Sequence, residues 1–180
     1  MNTPTTKPGL GSYMLRYGLI IAALQIVLSL VLYLIDFNPF KPGSSLINLF
    51  LTLLISIVVL RAGLIKYREV NFEGRISYGQ LFIAGALILL VSSIVSSLYS
   101  YLFYQVYEPD LMMRYAQEML DSFEGRVPEQ QFEMMEERIM KNLESGRQLI
   151  SMLINIPVSA IVISAIVSLF IKKDTTLIPE

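Results

Sequence analysis

Leu81–Tyr104, LFIAGALILLVSSIVSSLYSYLFY, runs for 24 residues without a charged side chain. A helix rises ~1.5 Å per residue and the hydrocarbon core of a bilayer is ~30 Å thick, so this stretch is long enough to cross. Backbone amides find no water partner in lipid and must satisfy one another, which dictates helix. Three further runs repeat the pattern: Tyr17–Ile35, Leu46–Leu60 (reaching Ile65 past Arg61) and Leu149–Ile171. The four together make up close to half of the chain. The expected fold is an all-α integral membrane protein with four transmembrane helices, at about residues 13–35, 45–65, 78–104 and 149–171. One membrane domain then spans residues 1–180.

Composition supports this and narrows the chemistry. Only 16% of residues are charged, against ~25% in an ordinary soluble domain. The longest segment between apolar runs, Gln105–Gln148, has 44 residues, too few to bury a core of its own without disulfides or metal. It is expected to lean on the bundle, on a second copy or on a partner. Cysteine and histidine are both absent, which removes disulfides, thiolate nucleophiles, iron–sulfur clusters and Cys-ligated zinc. Tryptophan is absent too, so tyrosine supplies the interfacial anchoring. Met1–Ser12 is polar and contains proline, with no small-x-small pattern after the first apolar run. That run reads as a retained helix rather than a cleaved signal.

Orientation follows lysine and arginine. Lys7, Arg16, Arg61, Lys66, Arg68, Arg75, Lys172 and Lys173 fall on one side of the four-span arrangement. The other side has Lys41 and five basic residues spread along Gln105–Gln148. The denser side is expected to be cytoplasmic, which puts both termini inside. Tyrosines gather at both interfaces: Tyr13, Tyr17, Tyr67 and Tyr78 at one, Tyr33, Tyr99, Tyr101, Tyr104 and Tyr107 at the other.

Each span carries small and polar residues at three- and four-residue steps, which places them on one face. The first has Gly18, Ala22, Gln25 and Ser29, and should run from near Ser12–Tyr13 to Asp36. The second has Asn48, Thr52, Ser56 and Gly63; the third has Ser92, Ser96 and Ser100; the fourth has Ser151, Asn155 and Ser159, then Ala160, Ser164 and Ser168. These faces are expected to meet along the bundle axis, where small residues allow close approach and hydroxyls bond across helices. Asn38-Pro39 and Lys41-Pro42-Gly43 make a short turn, so spans one and two are antiparallel neighbours. A short basic loop is expected over Tyr67–Ser77. Ser77 and Gln80 fit a capping box, with Ile76 and Leu81 as its hydrophobic staple. Pro157 removes one ladder donor and should bend the last span.

Between spans three and four, Glu108-Pro109-Asp110 marks a turn with Pro109 suited to a first helical position. Leu111, Tyr115, Met119 and Phe123 then recur at four-residue steps over Asp110–Phe123. Gly125 breaks that helix, and Pro128 opens a second through Glu144, with Phe132, Met135, Ile139 and Leu143 apolar. The expected element is an acidic extracytoplasmic helical hairpin over about 108–147. Gln105–Gln148 holds ten acidic and five basic residues, and six of the nine methionines. Thioethers can hold Cu(I), but methionine more commonly fills irregular apolar surface and adapts to partners. An acidic polar face also argues against the hairpin lying on the membrane surface.

No Asp or Glu falls inside an apolar run, and no lysine lies at bilayer depth to activate a serine. No catalytic, cofactor-binding or metal-binding residue is therefore expected, no cofactor, and no nucleic-acid partner. Arg61, near a helix end, should snorkel to headgroups. The leading expectation is a non-enzymatic scaffold or accessory subunit acting through its hairpin. Its partners are the lipid bilayer and either a second copy (a homo-oligomer) or another envelope protein. The alternative is a small oligomeric transporter or channel lined by Gln25, Asn48, Ser96 and Asn155.

Gly63-Leu-Ile-Lys-Tyr-Arg68, Gly74-Arg-Ile-Ser-Tyr-Gly-Gln80, Phe82, Gly85, Glu108-Pro-Asp110 and Pro157 give the chain a likeness to one family. From about residue 13 to 173 it resembles a bacterial group of small four-span membrane proteins, seen mostly in the Bacteroidetes lineage and classed as a domain of unknown function. A departure is Glu73-Gly74-Arg75, where that family often has paired glycines. The resemblance implies an inner-membrane location and assigns no activity, substrate or cofactor.

Overall fold

The computed structural model describes residues 8–143 and 145–171, with residues 145–156 described as helix backbone only. All secondary structure among the described residues is helical: α1 (Leu10–Leu34), α2 (Ser44–Phe72), α3 (Tyr78–Leu102), a π-helical turn (Phe103–Tyr107), α4 (Leu111–Asp121), α5 (Glu129–Leu143) and α6 (Ser145–Ile171). Helix α1, helix α2 and the continuous Tyr78–Tyr107 are long and apolar enough to cross a membrane, and only 22%, 17% and 33% of their most apolar windows are buried. The apolar surface therefore points outward, as lipid requires and water forbids. This is a membrane protein. The fully described part of α6, Pro157–Ile171, is a shorter apolar helix.

Helix α3 is central, packing most extensively on α1 and α6. Its start is the anticipated capping box: Gln80 N donates to Ser77 Oγ (3.3 Å) and Ser77 N donates to Gln80 Oε1 (3.2 Å). Ile76 and Leu81 are both buried beside it. At this end the bundle is dense. Ile21, Leu60, Leu64, Leu81 and Ile88 lose all solvent contact, and three glycines set the spacing. A Cβ on Gly18 would sit 2.8 Å from Val91 and 2.9 Å from the Ile88 carbonyl; one on Gly63 would sit 2.7 Å from the Tyr17 ring; one on Gly85 would overlap Ser164 Oγ. Close approach also lets side chains bond neighbouring backbones, Ser164 donating to the Phe82 carbonyl (2.7 Å) and Tyr78 to that of Ala165 (3.3 Å).

Helix α2 corrects the expected loop. It continues past the apolar run to Phe72, so Tyr67–Phe72 is helical. Two contacts hold the extra turns. Tyr67 packs edge-on against Tyr13 and Phe72, and buried Arg68 donates from Nη1 to the carbonyl of Ile171 (2.8 Å) at the end of α6. Ile171 is the last described residue of α6. Glu69 takes the rest of the guanidinium. The helix stops at Glu73 (φ 52°) and Gly74 (φ 84°), two successive left-handed residues. Glycine suits this backbone best; Glu73 adopts it despite its Cβ.

Other boundaries shift slightly. Helix α1 begins at Leu10 and ends at Leu34 rather than Asp36. Pro109 lies in the turn ahead of α4, which starts at Leu111. The residues buried on α4 are Leu111, Tyr115, Ala116 and Leu120. Met119 and Phe123 are only half-buried, because a strict four-residue step drifts off a 3.6-residue turn. Pro128 is the residue ahead of α5, its carbonyl accepting from Gln131 and Phe132. Helices α4 and α5 touch, and Phe132, Met135, Ile139 and Leu143 are the half-covered residues on α5 together with Met140. Pro157 lies inside α6. Ser151, Asn155 and Glu144 lie outside what is described of side chains or structure.

Candidate functional site

Gln25 is the hub of the polar contacts inside the bundle. It follows Gly18 and Ala22 on the small-residue face of α1, which turns it toward α2 and α3. Its Nε2 donates to Ser56 Oγ of α2 (3.1 Å), and its Oε1 accepts from Ser96 Oγ of α3 (3.0 Å). Ser56 donates onward to the Thr52 carbonyl (2.8 Å). An amide away from water is costly unless bonded, and this relay ties three helices with contacts worth about 0.6–2 kcal/mol each at membrane depth.

Beyond Gln25, toward α4, the helices part. A cavity of about 210 Å³ is walled by Gln25, Ser29, Asn48, Thr52, Ser96 and Ser100, with Tyr33, Tyr99, Tyr104, Leu111 and Tyr115 among its other walls. A second, of about 310 Å³, shares Gln25, Thr52, Ser96 and Ser100 and adds Ser92 of α3 and Ser159 of α6. No Asp, Glu, Lys or Arg is among the described residues lining either one. The buried phenolic oxygen of Tyr99 makes no hydrogen bond of ordinary geometry, although Ser29 lies close enough to both Tyr99 and Tyr104 to interact.

Helix α4 covers the open end. Leu111 and Tyr115 are buried in one cluster with Phe103, and both also line the smaller cavity. The turn between α1 and α2 fastens them there. Asn38, 4% exposed, donates from Nδ2 to the Tyr115 carbonyl (3.0 Å) and to Glu118 Oε2 (3.2 Å), while its Oδ1 accepts from Phe40 N (2.9 Å). Lys41 pairs with Glu118 (2.8 Å), Arg114 with Asp36 (3.3 Å), and Tyr33 donates to Glu108 (2.7 Å). Lys41 first, then Asn38, holds the Glu118 carboxyl below the usual carboxylate range. Burial pushes the Tyr115 phenol up, with Arg114 opposing.

Of the four residues expected to line a polar path, Gln25, Asn48 and Ser96 reach one cavity, and the side chain of Asn155 lies outside the described residues. Arg61 is exposed near the dense end of α2, away from it. Asn38, Glu118 and Tyr115 were not expected to fasten a cover. The signal present was Asn38-Pro39: asparagine favours turns because its side chain bonds local backbone, and here it bonds a distant helix as well.

The family described as Protein of unknown function (DUF4199) matches residues 16–173. The chain belongs to that family. In this DUF4199 member, Gly63–Arg68 and Gly74–Gln80, on which the resemblance rests, build the dense end, with Gly63 under Tyr17 and Arg68 on Ile171. Comparison with curated proteins and with solved structures gives no significant match.

Proposed function

We propose that this is a four-span inner-membrane protein that binds a small uncharged polar solute in its extracytoplasmic half, without converting it chemically. In this reading α6 is the fourth crossing, both termini are cytoplasmic, and α4 with α5 forms an extracytoplasmic hairpin, following the lysine and arginine bias. The observation that carries it is the convergence of Gln25, Asn48 and Ser96 on one cavity above a floor of Ile21, Leu60, Leu64 and Ile88. A charged solute would meet no countercharge there, and lone ions at such depth are expensive. Serine hydroxyls with no histidine, cysteine or carboxylate beside them lack a base, which favours binding over catalysis. The dense floor favours a dead-end pocket, as in a receptor or one state of a transporter, over an open channel.

Thermal unfolding of the protein in nanodiscs with a panel of neutral solutes tests this. A ligand at ~100 times its Kd adds about 2.7 kcal/mol, so at least one solute should raise Tm for the native chain and not for Gln25→Leu. If no neutral solute does so, the binding reading fails.

One observation keeps a second reading, the scaffold or accessory subunit. Helix α5 buries none of its residues although Phe132, Met135, Ile139 and Leu143 share a face. Cysteines at Met119 and Met135 should crosslink within one chain if that face rests on α4, or between chains if it joins two copies. Absence of both removes this reading.

A further inference from the structure

Resting on the binding reading above, the chemistry of the walls selects among neutral solutes. Hydroxyls dominate: Ser92, Ser96 and Ser100 lie one helical turn apart on a single ridge of α3, about 6 Å per step. A hydroxyl both donates and accepts, so a wall of hydroxyls suits a guest whose groups do the same. Ser96 has given its proton to Gln25 and turns lone pairs elsewhere, while Gln25 retains one N–H beyond its bond to Ser56. Apolar wall comes from the rings of Tyr104 and Tyr115 in one cavity and from Leu53 and Leu89 in the other, as the carbon skeleton of such a guest needs. Size sets the limit: about 210 Å³ is the liquid volume of about seven waters.

We propose that the paired cavities hold a compact neutral polyol or monosaccharide, with Gln25, Ser96 and Ser100 taking its hydroxyls and the tyrosine rings at the α4 end covering its carbon skeleton.

The test is isothermal titration of the full chain in nanodiscs with glycerol, myo-inositol and glucose, with glucuronate as a charged counterpart and propionamide as a neutral amide. Saturable binding of at least one of the three polyols is expected, with no binding of glucuronate. Gln25→Leu and Ser96→Ala should each weaken it about three- to tenfold, the range of one neutral hydrogen bond; helicity and Tm of the variants guard against misfolding. Propionamide binding that depends on Gln25, with no polyol bound, overturns the polyol assignment and leaves the solute pocket standing. If none of the five binds, the polyol assignment is overturned, and the wider panel of neutral solutes decides the binding reading on its own. Glucuronate bound as tightly as glucose also overturns the assignment.

Discussion

At Gly18 a single hydrogen atom stands where any other residue would place carbon 2.8 Å from Val91 and 2.9 Å from a backbone oxygen. Backbone cannot swing aside, so Gly18→Ala should destabilise by about 1–3 kcal/mol, read as a lower Tm in detergent. Gly85→Ala presses on a hydroxyl instead. Ser164 can rotate away, losing its bond to Phe82, and a smaller loss of about 1 kcal/mol is expected. Glu73 offers the reverse case: at φ 52°, glycine removes about 1 kcal/mol of backbone strain. Glu73→Gly should therefore raise Tm, less whatever the interaction of the Glu73 side chain contributes. The small-residue stripes were legible in the sequence as one face each, but not their division of labour. Gly18 and Ala22 close α1 against its neighbours while Gln25 and Ser29, on the same stripe, line a void. Periodicity records which residues face inward and says nothing about how far apart the facing helices stand.

Helix α4 is held by one buried amide and several exposed charges. Ion pairs as exposed as Lys41–Glu118 and Arg114–Asp36 contribute about 0–1 kcal/mol each, whereas removing Asn38 leaves the Tyr115 carbonyl without that donor at a buried site. Asn38→Leu should loosen α4 more than Lys41→Ala, seen as a broader distance distribution between spin labels at Gln117 and Leu46. The pH dependence has a definite sign. Because the Glu118 carboxyl is held below its usual range when α4 is docked, its contribution is whole above about pH 4, the value for the undocked group. It is lost as pH falls through the docked value. The same labels should separate on acidification below that point and not on going to neutral pH. Sequence reading located this helix through its apolar residues and misjudged its buried face, since Ala116 and Leu120 outrank Met119 and Phe123. It also ended α2 too early. Hydropathy falls at Lys66–Glu69, yet Tyr67 and Arg68 find partners on α1 and α6 that no local pattern announces.

Over the whole molecule, packing is graded from one end to the other. Three glycines and fully buried side chains such as Ile21, Leu60 and Ile88 close the end away from α4, and the smaller cavity reaches α4 at Leu111 and Tyr115. The absence of native cysteine makes this gradient measurable without background. An impermeant thiol reagent applied from the α4 side should modify Ser96→Cys and Ser100→Cys, and applied from the opposite side should modify neither. Labelling of both from either side would mean that the floor is porous. The four apolar runs made the membrane assignment legible from the first reading, because length and hydropathy alone decide it. The void was not legible, since the same serines would serve equally well in a closed interface.

Arg68 ties α2 to the Ile171 carbonyl of α6, and Gly63 beds α2 onto Tyr17 of α1, so at that end three helices share one fastening. A bundle pinned in this way has a fulcrum. Any rearrangement that widens or empties the chamber must splay the helices from the other end, where the cover is clasped by the turn around Asn38 and by the Arg114–Asp36 and Tyr33–Glu108 pairs. Motion that admits a guest and motion that unclasps α4 would then be the same motion.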